Sequence, residues 1–236
     1  MKFSLGPDYG WLNTIALHDQ PQPNTNNLAI LPWLVQMGVE IDPHCHEAQY
    51  KNSADVANLI IAAGGVPSSI ASGRIYQPPT YEDWEPLRNP VVPKSPGNSW
   101  TASGLWGAAA RGHGASDDNH TTIWYPTSSS QWTTNYSPSL FYIGNGNITL
   151  AGAQELINNV LDGDIQCGLF TTAIMIDPVK FIGVKDGVTV EQLCEFSSFV
   201  HQYPFVSWLN LQEINSVWQS YNYCTVEDII SSNPCC

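Results

Sequence analysis

The sequence predicts an α/β fold built on a parallel sheet. Three observations carry that expectation. Short apolar runs of strand type alternate with segments whose apolar residues recur at helical spacing, the order that builds strand–helix–strand units. Gly, Asn and Pro punctuate the junctions between them. Polar groups (Asp19, His44, His46 and Asp177) follow the ends of expected strands, and parallel α/β folds gather such groups on one face as a site. No repeat or linker divides the 236 residues, so one domain spanning 1–236 is expected, as a parallel α/β barrel or a doubly wound sheet.

In chain order, residues 11–17 (Trp-Leu-Asn-Thr-Ile-Ala-Leu) read as a buried strand leading to His18 and Asp19. A Pro/Asn-rich turn follows, with Asn26 or Asn27 as a cap for a helix over 28–37. Pro32 is tolerated in that helix's first turn and Gly38 ends it. Residues 39–43 alternate Val39 and Ile41 with Glu40 and Asp42, a strand signature, and Pro43 marks its end or a bulge. An apolar helix over 53–63, capped by Ser53 and stopped by Gly64-Gly65, leads to a short strand within 67–73. The proline-rich stretch 76–104, holding Tyr81, Trp84 and Trp100, reads as a long ordered loop, and loops of that length are usually functional. Residues 105–150 resemble β-structure with turns, with a tight turn at Asn145-Gly146-Asn147. Helices over 149–161, 189–201 and 211–221 alternate with buried strands over 168–176 and 206–209.

The chemistry concentrates in Glu40-Ile41-Asp42-Pro43-His44-Cys45-His46-Glu47. Residues two apart on a strand share a face, so Asp42, His44 and His46 can point into one pocket. Two imidazoles and a carboxylate suit a catalytic divalent metal; hydrogen-bonded histidines at a polar strand end account for the same spacing. A second polar centre, Gly112 to His120, gathers His113, Asp117, Asp118 and His120.

Composition narrows the partners. Charged residues make up only 12% of the chain, with 8 Lys+Arg against 21 Asp+Glu and a net charge of −13. That balance argues against nucleic acid and favours a neutral or cationic ligand. Nine Trp and ten Tyr would suit stacking on sugar rings, although most belong in a core. No run is long and apolar enough to span a membrane. The opening residues, Met1 to Pro7, carry no signal-peptide run and begin abruptly on turn residues, as a trimmed chain would. Low Lys, abundant Asn/Ser/Thr and acidic charge point to a secreted or extracellular protein, in which six cysteines, with Cys224, Cys235 and Cys236 clustered late, would allow disulfides tying down the C-terminal tail. There is no G-x-S-x-G elbow, Walker loop or dinucleotide loop.

The order of helix, Gly38-Val39-Glu40-Ile41, histidines and Ala/Leu/Ile-rich helix resembles the metal-binding step of NodB-homology polysaccharide deacetylases, carbohydrate esterase family 4. Thr171 to Ile176, Thr189-Val-Glu-Gln-Leu193 and Val206 to Ile214 resemble that family's last units. The resemblance covers most of 28–75 and 165–220 and implies a distorted, incomplete (β/α) barrel that removes acetyl groups from N- or O-acetylated saccharide. It implies that His44 and His46 hold Zn²⁺ or a similar ion. Asp19, Asp42, Asp117 and Asp118 are the candidates to complete the site and act as base, and His113 or His120 would return a proton. The metal would polarise the acetyl carbonyl and acidify water. Tyr81, Trp84, Trp100 and Trp106 would line the sugar groove. The family's N-terminal strand of paired aspartates finds no counterpart before residue 28, and its late Leu-x-His reads here as Met175-Ile176-Asp177. Those departures suit a rival of another class, a non-catalytic glycan-binding module on a degenerate barrel. Asp42-Pro43-His44-Cys45-His46 also looks like the Asp-x-His-x-His strand of amidohydrolase-type metal barrels, which ranks second.

Overall fold

The computed structural model describes residues 2–45, 51–73, 84–107, 121–128, 131–135, 140–144, 146, 149–165, 168–174, 176 and 188–220. They form a mixed α/β architecture. The first strand, β1 (Ser4–Leu5), pairs in parallel with β2 (Glu40–Ile41). Between them run two helices, α1 (Tyr9–His18) and α2 (Ile30–Gln36). After β2 comes α3 (Ser53–Ala62), then β3 (Ile70–Ser72) and β4 (Gly104–Trp106). Next are β5 (Ile123–Trp124), the hairpin β6 (Pro126–Ser128) and β7 (Gln131–Asn135), and β8 (Phe141–Ile143). The helices α4 (Leu150–Leu161), α5 (Val190–Val200) and α6 (Leu211–Ser220) follow.

Strands β3, β4 and β8 lie side by side in parallel, with β5 antiparallel on the far edge. Isolated parallel bridges, Ile41 to Pro67 and His44 to Ser72, join this sheet to the β1–β2 pair. The lateral order is therefore β1, β2, β3, β4, β8, β5. Among the described residues no sheet closes into a barrel.

Where the chain departs from its sequence reading, local chemistry explains it. Residues 11–17 are helix, not strand. Asp8 caps α1 by accepting from the Trp11 amide at 2.7 Å, and Tyr9, Leu12 and Ile15 supply the inward stripe. Trp11 and Leu17 lie on its exposed side, so the apolar run is not buried throughout. Neither Asn26 nor Asn27 caps α2; the Asp19 carboxylate does so, accepting from the Ile30 amide at 2.7 Å. Both asparagines adopt positive φ in the turn before it. The cap of α3 is Asn52, one residue earlier than expected, in a reciprocal capping box with Asp55. No strand forms over 168–174 or 206–209; both segments are irregular. Thr149 and the Thr189–Gln192 box cap α4 and α5 where the sequence puts helix starts.

Alternation along the strands separates two faces. On the outer face, Ile41 and Cys45 pack with Leu12, Leu31, Val56 and Ile60 of α1 to α3. Further along the same face, Ala71, Leu105, Tyr142 and Trp124 pack with Trp84 and Leu87 of the proline-rich segment. That segment is strapped to α3, because Asp55 accepts from the amides of Lys94 (3.1 Å) and Ser95 (2.8 Å). On the inner face, Ile70, Ile123, Phe141 and Ile143 pack against Leu211 and Trp218 of α6. The β1–β2 end of the inner face is polar, and the candidate site lies there.

Candidate functional site

The polar row begins with the ladder itself. Glu40, Asp42 and His44 donate their backbone amides to Phe3, Leu5 and Pro7, which keeps the segment extended past β2 and puts all three side chains on the inner face. The expectation that Asp42 and His44 share a face holds for backbone placement. Their side chains do different things.

Asp42 is buried in the sheet, where the Ser68 hydroxyl donates to its carboxyl and Glu40 lies beside it. Burial pushes the Asp42 carboxyl well above the usual carboxylate range, and the neighbouring Glu40 charge adds to that; the Ser68 bond offsets part of it. Burial also raises Glu40, offset in part by the Gln212 amide at the start of α6, which donates to it at 3.2 Å. Both carboxyls are thus raised, Asp42 the more, and they lie side by side in the sheet. The Asp42 carboxyl is engaged by Ser68 and Glu40 inside the sheet.

His44 stands one residue pair further along, half-buried at the C-terminal edge of the parallel strands. Three elements hold its ring. The Ser72 hydroxyl lies 3.3 Å from Nδ1. A Cβ on Gly73 would fall 2.6 Å from Cε1 and 2.7 Å from Nε2, so only a glycine lets the ring lie there. Gly73 also has φ +78, which glycine adopts without strain. On the other side, a Cβ on Gly6 would meet Ser72 Oγ at 2.8 Å and His44 Nδ1 at 3.2 Å. Proline chemistry sets this register. Pro43 cannot donate to β3, and between the bridges Ile41–Pro67 and His44–Ser72 the β3 side advances two residues more than the β2 side. That slip puts Ser72, rather than Ile70, opposite His44.

Across the same edge, Ser72 is in register with Trp106, and Trp106 with Ile143. Trp106 therefore shares the inner face with His44, two strands away, roughly 10 Å at the usual strand spacing. The other two candidate tryptophans that are described, Trp84 and Trp100, do not line this face. Trp84 is fully buried behind the sheet, with Arg88 over its ring, so it has no face to offer a sugar. Trp100 packs on the same outer cluster and donates Nε1 to the Ser68 carbonyl at 3.0 Å. Asp19 is also remote. Asp8, next to the Pro7 carbonyl that receives the His44 amide, starts α1, and Asp19 follows its ten-residue length, about 15 Å along the axis. His18 is exposed, and His201 caps α5 through the Ser197 carbonyl.

His46, Tyr81, His113, Asp117, Asp118 and His120 lie outside the described residues, as does Asp177. Among the described residues no three His, Cys, Asp or Glu side chains come together as a metal set, and no helix is long and apolar enough to cross a membrane. Sequence reasoning missed Gly6, Ser72 and Gly73. The available signal was Pro7 and Pro43, whose missing donors reshape the ladder around His44. No known protein family, curated protein or solved structure matches this chain.

Proposed function

We propose that the chain is a metal-dependent hydrolase that removes acetyl groups from a saccharide, on an incomplete (β/α) barrel of the polysaccharide deacetylase type. One observation carries the site: an imidazole and an indole, His44 and Trp106, face the same side at the C-terminal edge of the parallel strands, two strands apart with Ser72 of β3 between them. Such edges are where α/β folds build sites. The lateral order β1, β2, β3, β4, β8 follows chain order, as in a barrel. The segment before α6 also returns to β1, with Trp208 Nε1 donating to the Lys2 carbonyl at 2.7 Å.

His44 and His46, two apart, would be two ligands of a divalent ion, Zn²⁺ by the resemblance; the candidate carboxylates include Asp42. The ion would supply a Lewis acid for the acetyl carbonyl and an acidified water. Trp106 would hold the sugar ring against the sheet edge. Asp117 or Asp118, with His113 or His120, would complete the set and move protons.

A second reading, glycan binding without chemistry, draws on β1. The resemblance implies aspartates on the N-terminal strand, and β1, the neighbour of β2, carries Ser4 and Leu5 instead. Metal analysis of the purified protein, with the His44→Ala and His46→Ala variants, separates the two. Stoichiometric zinc, lost in both variants together with acetate release from acetylated oligosaccharide, supports the hydrolase. Metal-free protein whose oligosaccharide affinity survives both substitutions refutes it.

A further inference from the structure

We infer that Phe3, Trp208, Phe196, Phe199, Tyr203 and Phe205 form an external track that binds a single chain of neutral saccharide, apart from the His44 site. Its ligand class rests on the hydrolase reading; the surface itself does not.

The rings touch one after another. Phe3 lies 6.5 Å from Trp208, centre to centre, and Trp208 lies 6.1 Å from Phe196. Phe196 is 6.1 Å from Phe199, Phe199 is 5.0 Å from Tyr203, and Tyr203 is 5.6 Å from Phe205. Ordered backbone holds them. Phe196 and Phe199 are three apart on α5 and share a side of it. Tyr203 follows in a turn, its amide donating to the Val200 carbonyl and its carbonyl accepting from the Val206 amide, each at 3.1 Å. Trp208 is pinned by the bond from Nε1 to the Lys2 carbonyl. Phe3 stands just before β1, at the opposite edge of the sheet from His44.

Ring-on-ring packing accounts for the contacts but not for which residues lie outside. Helix α5 buries Ser197 and leaves Phe196 and Phe199 half-buried, the reverse of what a helix shaped only for its core would do. Tyr203 and Trp208 are half-buried as well, and the end rings, Phe3 and Phe205, are 36% and 50% exposed.

Charge selects the ligand. From Phe196 to Asn210 there is no Asp, Glu, Lys or Arg, and five of these fifteen residues are aromatic, against 11% in the whole chain. At the Phe3 end, Lys2 and Glu213 pair with each other. The exposed residues interleaved with the rings in sequence include Ser198, Gln202 and Ser207, uncharged hydrogen-bonding groups. A sugar ring matches both features, with an apolar C–H face to stack and a rim of hydroxyls. Nucleic acid bases would stack too, but a net charge of −13 repels their phosphates. A protein partner gains most from Arg and paired charges, and this run offers no counter-charge. Successive rings are turned by 35° to 65°, so the track twists and fits one soluble chain better than a flat crystalline face.

Calorimetry of the full-length chain with hexa-N-acetylchitohexaose and with hydroxyethyl cellulose, both neutral and soluble, tests the track. Binding to at least one is expected. It should be retained in His44→Ala and fall on the order of tenfold in Phe199→Leu and in Phe205→Leu, because leucine keeps apolar volume and removes the ring face. Phe199→Trp, which keeps a ring, should retain it. If Phe199→Leu does not fold, Phe205→Leu at its exposed position decides. Binding to neither saccharide, or binding kept in the folded Leu variants, overturns the track. A concentration-dependent dimer that Phe205→Leu dissolves also overturns it, giving the row to a second copy. Binding that survives His44→Ala in a chain that holds no zinc and releases no acetate supports the track and refutes the hydrolase.

Discussion

The two faces of one sheet solve opposite problems. The outer face is largely apolar: Ile41, Ala71, Leu105 and Tyr142 meet helices and the strapped proline-rich segment, and burial dominates there. The inner face changes character across its width. From β3 to β5 it is apolar against α6, and at β1 and β2 it presents Ser4, Glu40, Asp42 and His44, with Ser68 answering from the segment before β3 and Ser72 from β3. Polar groups are costly to bury, so each of these is hydrogen-bonded to a neighbour. The comparison teaches that stability and chemistry are separated by strand parity, two residues apart being together and one residue apart being on opposite sides.

The largest expected effect breaks the outer face. Trp84→Ala should cost about 3–5 kcal/mol, the usual loss for a fully buried tryptophan. For a chain of this size that lowers the melting temperature by roughly 6–20 °C. Zinc and saccharide binding of the folded fraction should be unchanged; a loss of either at low temperature would mean that the faces are coupled.

Two glycines with the same backbone conformation sharpen the contrast. Gly73→Ala and Gly38→Ala both place a Cβ at positive φ (+78 and +79), which costs about 1–2 kcal/mol in each case. Only at Gly73 does that Cβ strike the His44 ring, since nothing lies within 4 Å of it at Gly38. Titration with zinc should show weaker binding in Gly73→Ala and none of that change in Gly38→Ala.

The tryptophan pair gives a smaller effect. Trp106→Ala, on the His44 face, should weaken oligosaccharide affinity on the order of tenfold, about 1.4 kcal/mol. Trp100→Ala, on the outer face, should leave affinity intact in calorimetry. Equal losses would remove Trp106 from the site.

The smallest effect is a slope with pH. Asp42 and Glu40 titrate higher in the folded chain than their ordinary values of 3.8 and 4.5. The folded state therefore binds protons more tightly than the unfolded state. Its extra stability is present below the ordinary values and is lost as pH rises through the raised ones. Urea midpoints should fall with rising pH above the ordinary range, and Asp42→Asn should flatten that fall. An unchanged slope in the variant would show that the carboxyl pair is not its source.

The sequence was most legible where one residue settles the local geometry. Thr189 with Gln192 announces the start of α5, and Val39-Glu40-Ile41-Asp42 alternates as a strand does. It was least legible in α1, because Trp11 and Leu17 put apolar side chains on the exposed side and hid the Tyr9, Leu12, Ile15 stripe. Half of the site was legible in the same sense. Asp42 and His44 were correctly put on one face, but the partners that set their chemistry, Glu40 apart, come from β1, β3 and α6. Such partners depend on register, and the register depends on the two extra residues between Pro67 and Ser72, opposite Pro43. The aromatic residues failed for a related reason: Trp84, Trp100 and Trp106 look alike in sequence, and only pairing with Ser72 tells which face each serves.

The return of residues 208–213 to the first strand has a consequence for how the chain acquires its shape. Trp208 and Glu213 bond to Lys2, and the Gln212 amide bonds to Glu40, over separations of 206, 211 and 172 residues. Contacts that distant slow folding, because most of the chain must be ordered before they form. At typical synthesis rates of 5–20 residues per second, β1 waits roughly 10–40 s for its last neighbours. During that interval the Lys2 carbonyl, the Lys2 ammonium and the Glu40 carboxyl lack the partners that residues 208–213 give them.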